Sequence, residues 1–248
     1  MAVGHRGEEL VKSAPYNYEE QIPAGFYDNI HRRKSGVRYF WHDLKFRSVA
    51  AGLPRLGKHL DIGCGPGTFI GNYLDDIEAL GIDLSASQIG YANQHYSTAV
   101  HRFSTQSVDS LLDSGDRFDA ITMIELAEHL APDDAARLFA QTLRLLSPNG
   151  TLIVTTPNYR SAWPLIERAV NLVSPVSYEQ QHINKYNRDR LLHQLSEAGY
   201  GNVTVKTIVG FAPFAAVFGA KPAQWLNVIE AGVGHLGCGN LLLATARP

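Results

Sequence analysis

His59-Leu60-Asp61-Ile62-Gly63-Cys64-Gly65-Pro66-Gly67-Thr68 sets three glycines directly after a short apolar run and before TFIGNYLDD, which reads as a helix. Glycine there lets the backbone take positive φ and lets a ligand approach the main chain closely. A strand, a glycine loop and a helix in this order open an α/β sheet whose ligand crevice lies beyond the C-terminal strand ends. A dinucleotide fingerprint requires G-x-G-x-x-G, and Thr68 stands at the last position, which impairs a nicotinamide-cofactor reading. Asp61 beside the loop also disfavours a pyrophosphate at this helix start. Asp83 ends the next apolar run, ALGID, where its carboxylate can accept both hydroxyls of a ribose. Its other reading is a helix N-cap, a role for which Ser85 competes.

Outward from this loop the pattern alternates. VHRFS, FDAITMI and TLIVTT read as further strands. Between them lie the helical stretches SASQIGYANQHY and Asp133–Leu146, the latter with Ala136, Phe139, Ala140, Leu143 and Leu146 on one face. Pro148-Asn149-Gly150 marks a turn. Strands separated by helices mean βαβ units and a mostly parallel sheet. The end differs: a helix over Arg188–Ala198 stops at Gly199, and NVTVKTIVG and NLLLATARP flank an apolar stretch over residues 211–237. Two strands joined this way predict an antiparallel hairpin at one sheet edge. Upstream, residues 1–20 are expected to be a flexible tail and 21–55 an N-terminal helical cap. Val37, Phe40, Trp41, Leu44 and Ser48 there follow helical spacing, and His31, Arg32, Arg33 and Lys34 read as a solvated face. Residues 56–248 make the main domain, with an insertion over 157–182.

Composition mostly excludes. In 248 residues, 22 Lys+Arg face 24 Asp+Glu, a net charge of −2 without the basic excess of a nucleic-acid binder. With 45% hydrophobic and 19% charged residues the chain is globular rather than disordered. Cys64 and Cys238 provide neither a disulfide framework nor a zinc pair. The N-terminus lacks the apolar segment of a signal peptide, and the weakly polar run Ile208–Ala220 is too short to span a bilayer. A cytoplasmic protein without a membrane span is expected.

LDIGCGPGTF, GIDLS, FDAITMIELAEHL and LRLLSPNGTLIVTTPN, in this order and spacing, resemble the successive motifs of class I S-adenosylmethionine-dependent methyltransferases. The resemblance covers roughly residues 56–160, and the expected hairpin extends it to the C-terminus. It implies a Rossmann-like α/β fold: a seven-stranded, mostly parallel sheet with an antiparallel C-terminal strand. It also implies that Asp61, Gly63, Cys64, Gly65 and Gly67 face the methionine part of S-adenosylmethionine. Asp83, with Leu84 beside it, would face the ribose, Ser107 and Val108 the adenine, and Ile124 with Glu125 the underside of the cofactor. Many relatives carry an acidic residue near Ser107, and this chain does not.

A sulfonium methyl is already activated, so such an enzyme aligns a nucleophile and excludes water. A hydroxyl acceptor also needs its proton removed, and histidine is poised for this near neutral pH. Glu125-Leu126-Ala127-Glu128-His129 would place Glu125, Glu128 and His129 on one helical face, and His182 follows in EQQHINKYN. The E-x-x-E-H run resembles ubiquinone-biosynthesis O-methyltransferases. With His182 it also resembles small-RNA terminal 2′-O-methyltransferases, in which such residues hold a divalent metal such as Mg²⁺ and lower the pKa of the acceptor oxygen. His182, His129 and Glu125 are therefore the candidate catalytic groups, and Glu125, Glu128, His129 and His182 the candidate metal ligands. E-x-x-E-H also occurs in many methyltransferases without metal, and Cys64 has no neighbouring base to make it a nucleophile.

The insertion over 157–182 is expected to wall the acceptor site. Trp163, Leu165, Ile166, Leu172, Val173 and Tyr178 make it apolar. Phe26, Tyr27 and Trp41 upstream and Phe211, Phe214, Phe218 and Trp225 downstream add to a hydrophobic pocket. The expected activity is methylation of a hydroxyl on a small, partly apolar molecule, such as a phenol or a natural-product scaffold. A metal-assisted RNA 2′-O-methyltransferase and a non-catalytic binding module are the alternatives. Near-neutral charge provides little field to steer a polyanion, which disfavours the RNA reading. The apolar stretch over 208–236 would also suit a homodimer contact.

Overall fold

The computed structural model describes residues 22–173, 181–233 and 239–248. The tail expected over residues 1–20, Tyr178 of the insertion and Cys238 lie outside the described residues. Among the described residues seven strands form one sheet: β1 (Lys58–Ile62), β2 (Glu78–Ile82), β3 (His101–Ser104), β4 (Phe118–Ile124), β5 (Leu146–Pro157), β6 (Asn202–Ile208) and β7 (Leu241–Arg247). Their order is β3-β2-β1-β4-β5-β7-β6. Strands β1 to β5 pair in parallel, and β7 runs antiparallel to both β5 and β6. The sheet expected from the alternating pattern, with its reversed C-terminal strand, is therefore present. Strands covered on both faces must be apolar nearly throughout. Leu60, Phe118, Ile121, Met123, Leu152, Ile153 and Val154 are accordingly all fully buried.

This order fixes where a ligand can bind. From β1 the chain moves outward through β2 to β3, then crosses back to β4 on the other side of β1. The loops leaving β1 and β4 thus turn in opposite directions and open a crevice between them. The glycine loop leaves β1 there, and Glu125 leaves β4.

The helices follow the expected positions with two differences. α3 (Thr68–Tyr73) ends before TFIGNYLDD does, because Asp75 takes a positive φ of 29° and Ile77 bonds back to the Leu74 carbonyl, which turns the chain toward β2. α6 (Pro132–Leu145) buries Ala135, Phe139, Thr142 and Leu145, whereas Ala140 of the expected stripe is exposed. Thr142 holds a core position because its hydroxyl bonds both the Phe139 carbonyl and Tyr200 Oη, at 2.8 and 2.9 Å. A polar residue satisfied in this way conceals the true face from a hydrophobic pattern. Pro148-Asn149-Gly150 lies within β5, where its pairing with β4 shifts register between Phe118 and Ala120.

Two helices, α1 (Phe26–Arg32) and α2 (Gly36–Ala50), close over the C-terminal strand ends. A buried carboxylate attaches them. Asp28 has no exposed surface and receives Thr68 Oγ1 at 2.9 Å, Tyr91 Oη at 2.8 Å, the Tyr96 hydroxyl and Arg32 Nε at 2.7 Å. Thr68 comes from α3, and the two tyrosines from α4 (Ala86–Tyr96). Gln88 adds a second tie, accepting from the Gly25 amide and donating to the carbonyls of Ile22 and Pro23. Arg32, Arg33 and Lys34 are exposed as expected, but His31 is not part of a solvated face. It is buried against Tyr73 Oη at 2.8 Å, and burial pulls its pKa below the ordinary value.

Among the described residues no helix is long and apolar enough to cross a membrane. Asp28→Ala would strand the buried Thr68 hydroxyl, at about 1–3 kcal/mol, and remove the acceptor of the half-buried Tyr91 and Tyr96 hydroxyls. We expect it to lower unfolding stability by about 2–4 kcal/mol in urea titrations. A loss below about 1 kcal/mol would show that the cover does not depend on this carboxylate.

A candidate active site beneath the helical cover

A cavity of about 790 Å³ lies between the strand ends, α2 and α7 (Trp163–Val173). Its size is within the usual range for ligand pockets. The glycine loop forms its floor. Gly63, Gly65 and Gly67 take φ of 74°, 52° and 76°, the left-handed region that explains their residue type. A Cβ on Gly67 would also sit 2.8 Å from the Phe103 ring.

Asp83 bonds the Gly65 amide through one oxygen and the Ser85 amide through the other, both at 2.9 Å. Ser85 is the N-cap of α4, accepting from the Gln88 amide at 3.2 Å. Asp83 is therefore left facing the cavity, with further lone pairs on each oxygen. Asp61 is buried beside the loop, accepting from Thr122 Oγ1 at 2.6 Å. Thr122 in turn meets His59 Nε2 at 2.9 Å. Burial raises the Asp61 carboxyl to about 7, Thr122 opposes this, and Asp83 adds to it. A cationic ligand group beside Asp61 would relieve that cost. Ser107, Val108 and Ile124 also line the cavity, as does Leu84, although 84% of Leu84 is exposed. Cys64 lines it as well, with its thiol pushed well above the ordinary value by burial, which makes it inert.

The other half of the cavity holds the titratable cluster. Glu125 has φ of 52°, in the left-handed region that non-glycine residues seldom adopt. Its carboxylate forms an ion pair with Lys45 of α2, whose side chain is almost wholly buried. Ala127–His129 is a single 3₁₀ turn. The single helical face expected for Glu125, Glu128 and His129 therefore does not form, because the backbone reverses at Glu125. Donor atoms of Glu128, His129 and His182 do come together, all within 4.8 Å of one another. Glu125 stands outside this group.

Glu128 is fully buried, and neither of its side-chain oxygens has a hydrogen-bond partner among the described residues. Burial raises it to about 7, against the pull of His182. His129 Nδ1 faces the Gln181 carbonyl at 3.1 Å, and burial lowers its pKa to about 4. Burial also works against a charged His182. The hydrogen bond to Glu167 and the fields of Glu128, Glu167 and Glu125 outweigh it, so its pKa lies above the ordinary value. The carboxylate oxygens and imidazole nitrogens of this cluster are donors of the kinds that fit a divalent cation, and they equally fit a hydroxyl-bearing ligand.

The walls sort the expected aromatics. Tyr27, Trp41, Trp163, Ile166 and Phe214 line the cavity, with Trp41 5.4 Å from Trp163 and 6.3 Å from Phe214 between ring centres. Leu165, Phe211, Phe218 and Trp225, expected in the pocket, are instead 68%, 51%, 83% and 69% exposed. Leu165 lies on the outer side of α7, and Trp225 on the outer side of α10 (Ala220–Val233), which packs on α9 (Ala212–Ala215). Phe26 packs edge-on against Tyr27.

Sequence reasoning missed Arg38, His42 and Lys45 on the cavity side of α2, Gln106 near Ser107, and Glu167 on the wall. The spacing of Arg38, Trp41, His42 and Lys45 is helical. The charged residues among them carry no mark that separates a cavity-facing position from a solvent-facing one.

A family model described as a methyltransferase domain matches residues 31–205. A ubiquinone biosynthesis O-methyltransferase of Azorhizobium caulinodans is 30% identical over 59% of this chain and 55% of its own length. One of the same name from Coxiella burnetii is 29% identical over 61% and 62%. These matches thus span little more than half of each relative. Among solved structures, an S-adenosylmethionine-dependent methyltransferase of Thermotoga maritima aligns with a TM-score of 0.62 at 17% identity, covering 92% of this chain and 97% of that one. Magnesium protoporphyrin IX methyltransferase of Synechocystis, solved with S-adenosylhomocysteine, aligns with a TM-score of 0.58 at 15% identity, covering 93% and 98%.

Asp83→Ala removes the carboxylate that supports the loop and faces the cavity. Calorimetric affinity for S-adenosylhomocysteine should fall about tenfold or more, the loss of one to two charge-assisted hydrogen bonds. Unchanged affinity would remove Asp83 from the ligand site.

Proposed function

Since the chain belongs to the methyltransferase-domain family, we propose that it methylates a hydroxyl oxygen of a small, partly apolar molecule, of phenol or natural-product type, using S-adenosylmethionine. The observation that carries this reading is the buried Glu128–His129–His182 cluster, which shares one apolar-walled cavity with the glycine loop and Asp83. The names of the curated relatives, both O-methyltransferases, agree with an oxygen acceptor.

When bound, S-adenosylmethionine supplies a methyl already activated on a sulfonium. The chain's own work is then to bind, align and exclude water. Asp83 offers the lone pairs that its two amide bonds leave over to the ribose hydroxyls, and Asp61 offers its carboxylate to the amino-acid end. Trp41, Trp163, Ile166 and Phe214 hold the apolar body of the acceptor. His182 takes the hydroxyl proton at Nε2 as the oxygen accepts the methyl. Glu128 has two oxygens without partners, and it suits a second hydroxyl on the acceptor, as in a vicinal diol.

Donor atoms of Glu128, His129 and His182 within 4.8 Å support a second form of the same reading. These three residues would hold a divalent cation, which would lower the acceptor's pKa as a Lewis acid. Glu125 does not join them, being paired with Lys45.

His182→Gln separates the cluster's role from cofactor binding. Turnover should fall by about 10²–10⁴-fold, the contribution of a positioned base, with S-adenosylhomocysteine affinity unchanged. Full turnover in the variant would contradict the assignment. Loss of wild-type turnover on chelation, restored by Mg²⁺ or Mn²⁺, would select the metal form, whereas turnover that survives chelation leaves His182 as a simple base.

A further inference from the structure

His182 does not stand alone on its loop. Its Nδ1 lies 2.6 Å from Glu167 Oε1, and the two side chains are 4% and 7% exposed. Tyr159 Oη lies 2.9 Å from the same Glu167 oxygen and 3.1 Å from His182 Nδ1. The three groups come from different places. Tyr159 follows β5, Glu167 sits on the inner side of the wall helix α7 near Ile166 and Val170, and His182 lies beyond residues 174–180.

An ionised carboxylate offers only lone pairs, so a contact of 2.6 Å between it and a ring nitrogen requires a hydrogen on that nitrogen. Glu167 Oε1 meets both His182 Nδ1 at 2.6 Å and Tyr159 Oη at 2.9 Å, the two-donor arrangement of a carboxylate that accepts only. A histidine's tautomer is set by the hydrogen bond at its other nitrogen. We propose that Glu167, with Tyr159, is a positioning residue that fixes His182 as the Nδ1–H tautomer and so presents the Nε2 lone pair to the Glu128–His129 side of the cavity.

This rests on the reading that His182 works through Nε2, and it holds whether that nitrogen takes a proton or a cation, since both need the lone pair. It also links the wall to the chemistry. The helix that carries Ile166 and Val170 against the acceptor carries the carboxylate that orients the base, so a displaced wall would disorient His182 as well. Tyr159 gives the arrangement a definite failure mode. With the Glu167 carboxylate removed, its hydroxyl loses its acceptor and is left 3.1 Å from Nδ1. Donation to Nδ1 then favours the opposite tautomer, with the hydrogen on Nε2.

The test is the ¹⁵N–¹H two-bond correlation spectrum of ¹⁵N-histidine-labelled full-length protein, at a pH where His182 is neutral. The His182 signals are assigned from their loss in His182→Gln. We expect the Nδ1–H tautomer in the wild type, the Nε2–H tautomer in Glu167→Leu, and return of Nδ1–H in Glu167→Asp. Glu167→Leu should also lower kcat at least tenfold while leaving S-adenosylhomocysteine affinity within about twofold, which shows that the variant folds. Adding Tyr159→Phe to Glu167→Leu should recover part of kcat, because the competing donor is gone. An Nε2–H tautomer in the wild type, or an unchanged tautomer in Glu167→Leu, would overturn the proposal. The spectrum needs no acceptor. A tautomer that flips as expected in a protein that methylates no hydroxyl would uphold the positioning and sink the O-methylation reading alone.

Discussion

Carboxylates buried in and around one cavity are the constraint on which the rest of this structure depends. Burying an unpaired charge is costly, so each acid must be neutralised, paired or held by donors. Asp28 is held by hydroxyls and Arg32, Glu125 by Lys45, and Glu167 by His182 and Tyr159. Asp61 keeps one hydroxyl, with its pKa raised to about 7. Glu128 has no partner among the described residues. The acids that the protein satisfies internally are those that attach the cover and the wall. The two left costly face the ligand space, where a cationic group or a hydroxyl would complete them.

The elements bounding the cavity are therefore placed by polar pairs as much as by apolar packing. Lys45 on α2 reaches Glu125 at the end of β4, and that bond ties the helical cover to the strand end at a backbone position of unfavourable φ. Glu167 on α7 ties the wall to the loop of His182. The parallel sheet supplies the crevice, and these two bonds determine which side chains face it.

The sheet was legible from the sequence because buried parallel strands are apolar almost throughout and glycines punctuate them. The glycine loop and Asp83 were legible because a positive φ and a strand-end carboxylate leave marks in residue type. The acceptor side was harder to read. Lys45 lies on a helix rich in charges, and periodicity alone assigns such residues to solvent. Glu125, Glu128 and His129 have helical spacing, yet the chain turns at Glu125 and sends it to Lys45 instead. Glu167 gives no local sign of its role, since its partner lies fifteen residues on, across a segment without a motif. Thr142 misled in the opposite way, a polar residue in a core position supported by Tyr200.

The central claim is that the Glu128–His129–His182 side of the cavity delivers a hydroxyl oxygen to a methyl bound on the Asp61–Asp83 side. The most direct test is transfer from S-adenosylmethionine carrying a ¹³C-labelled methyl to a panel of vicinal-diol aromatics and their amine counterparts, with the label located by NMR. The account predicts a labelled methoxy carbon on the diol acceptors, lost when Glu128→Gln is combined with His182→Gln. Label found on nitrogen or carbon, or on oxygen to the same extent in that double variant, would contradict it.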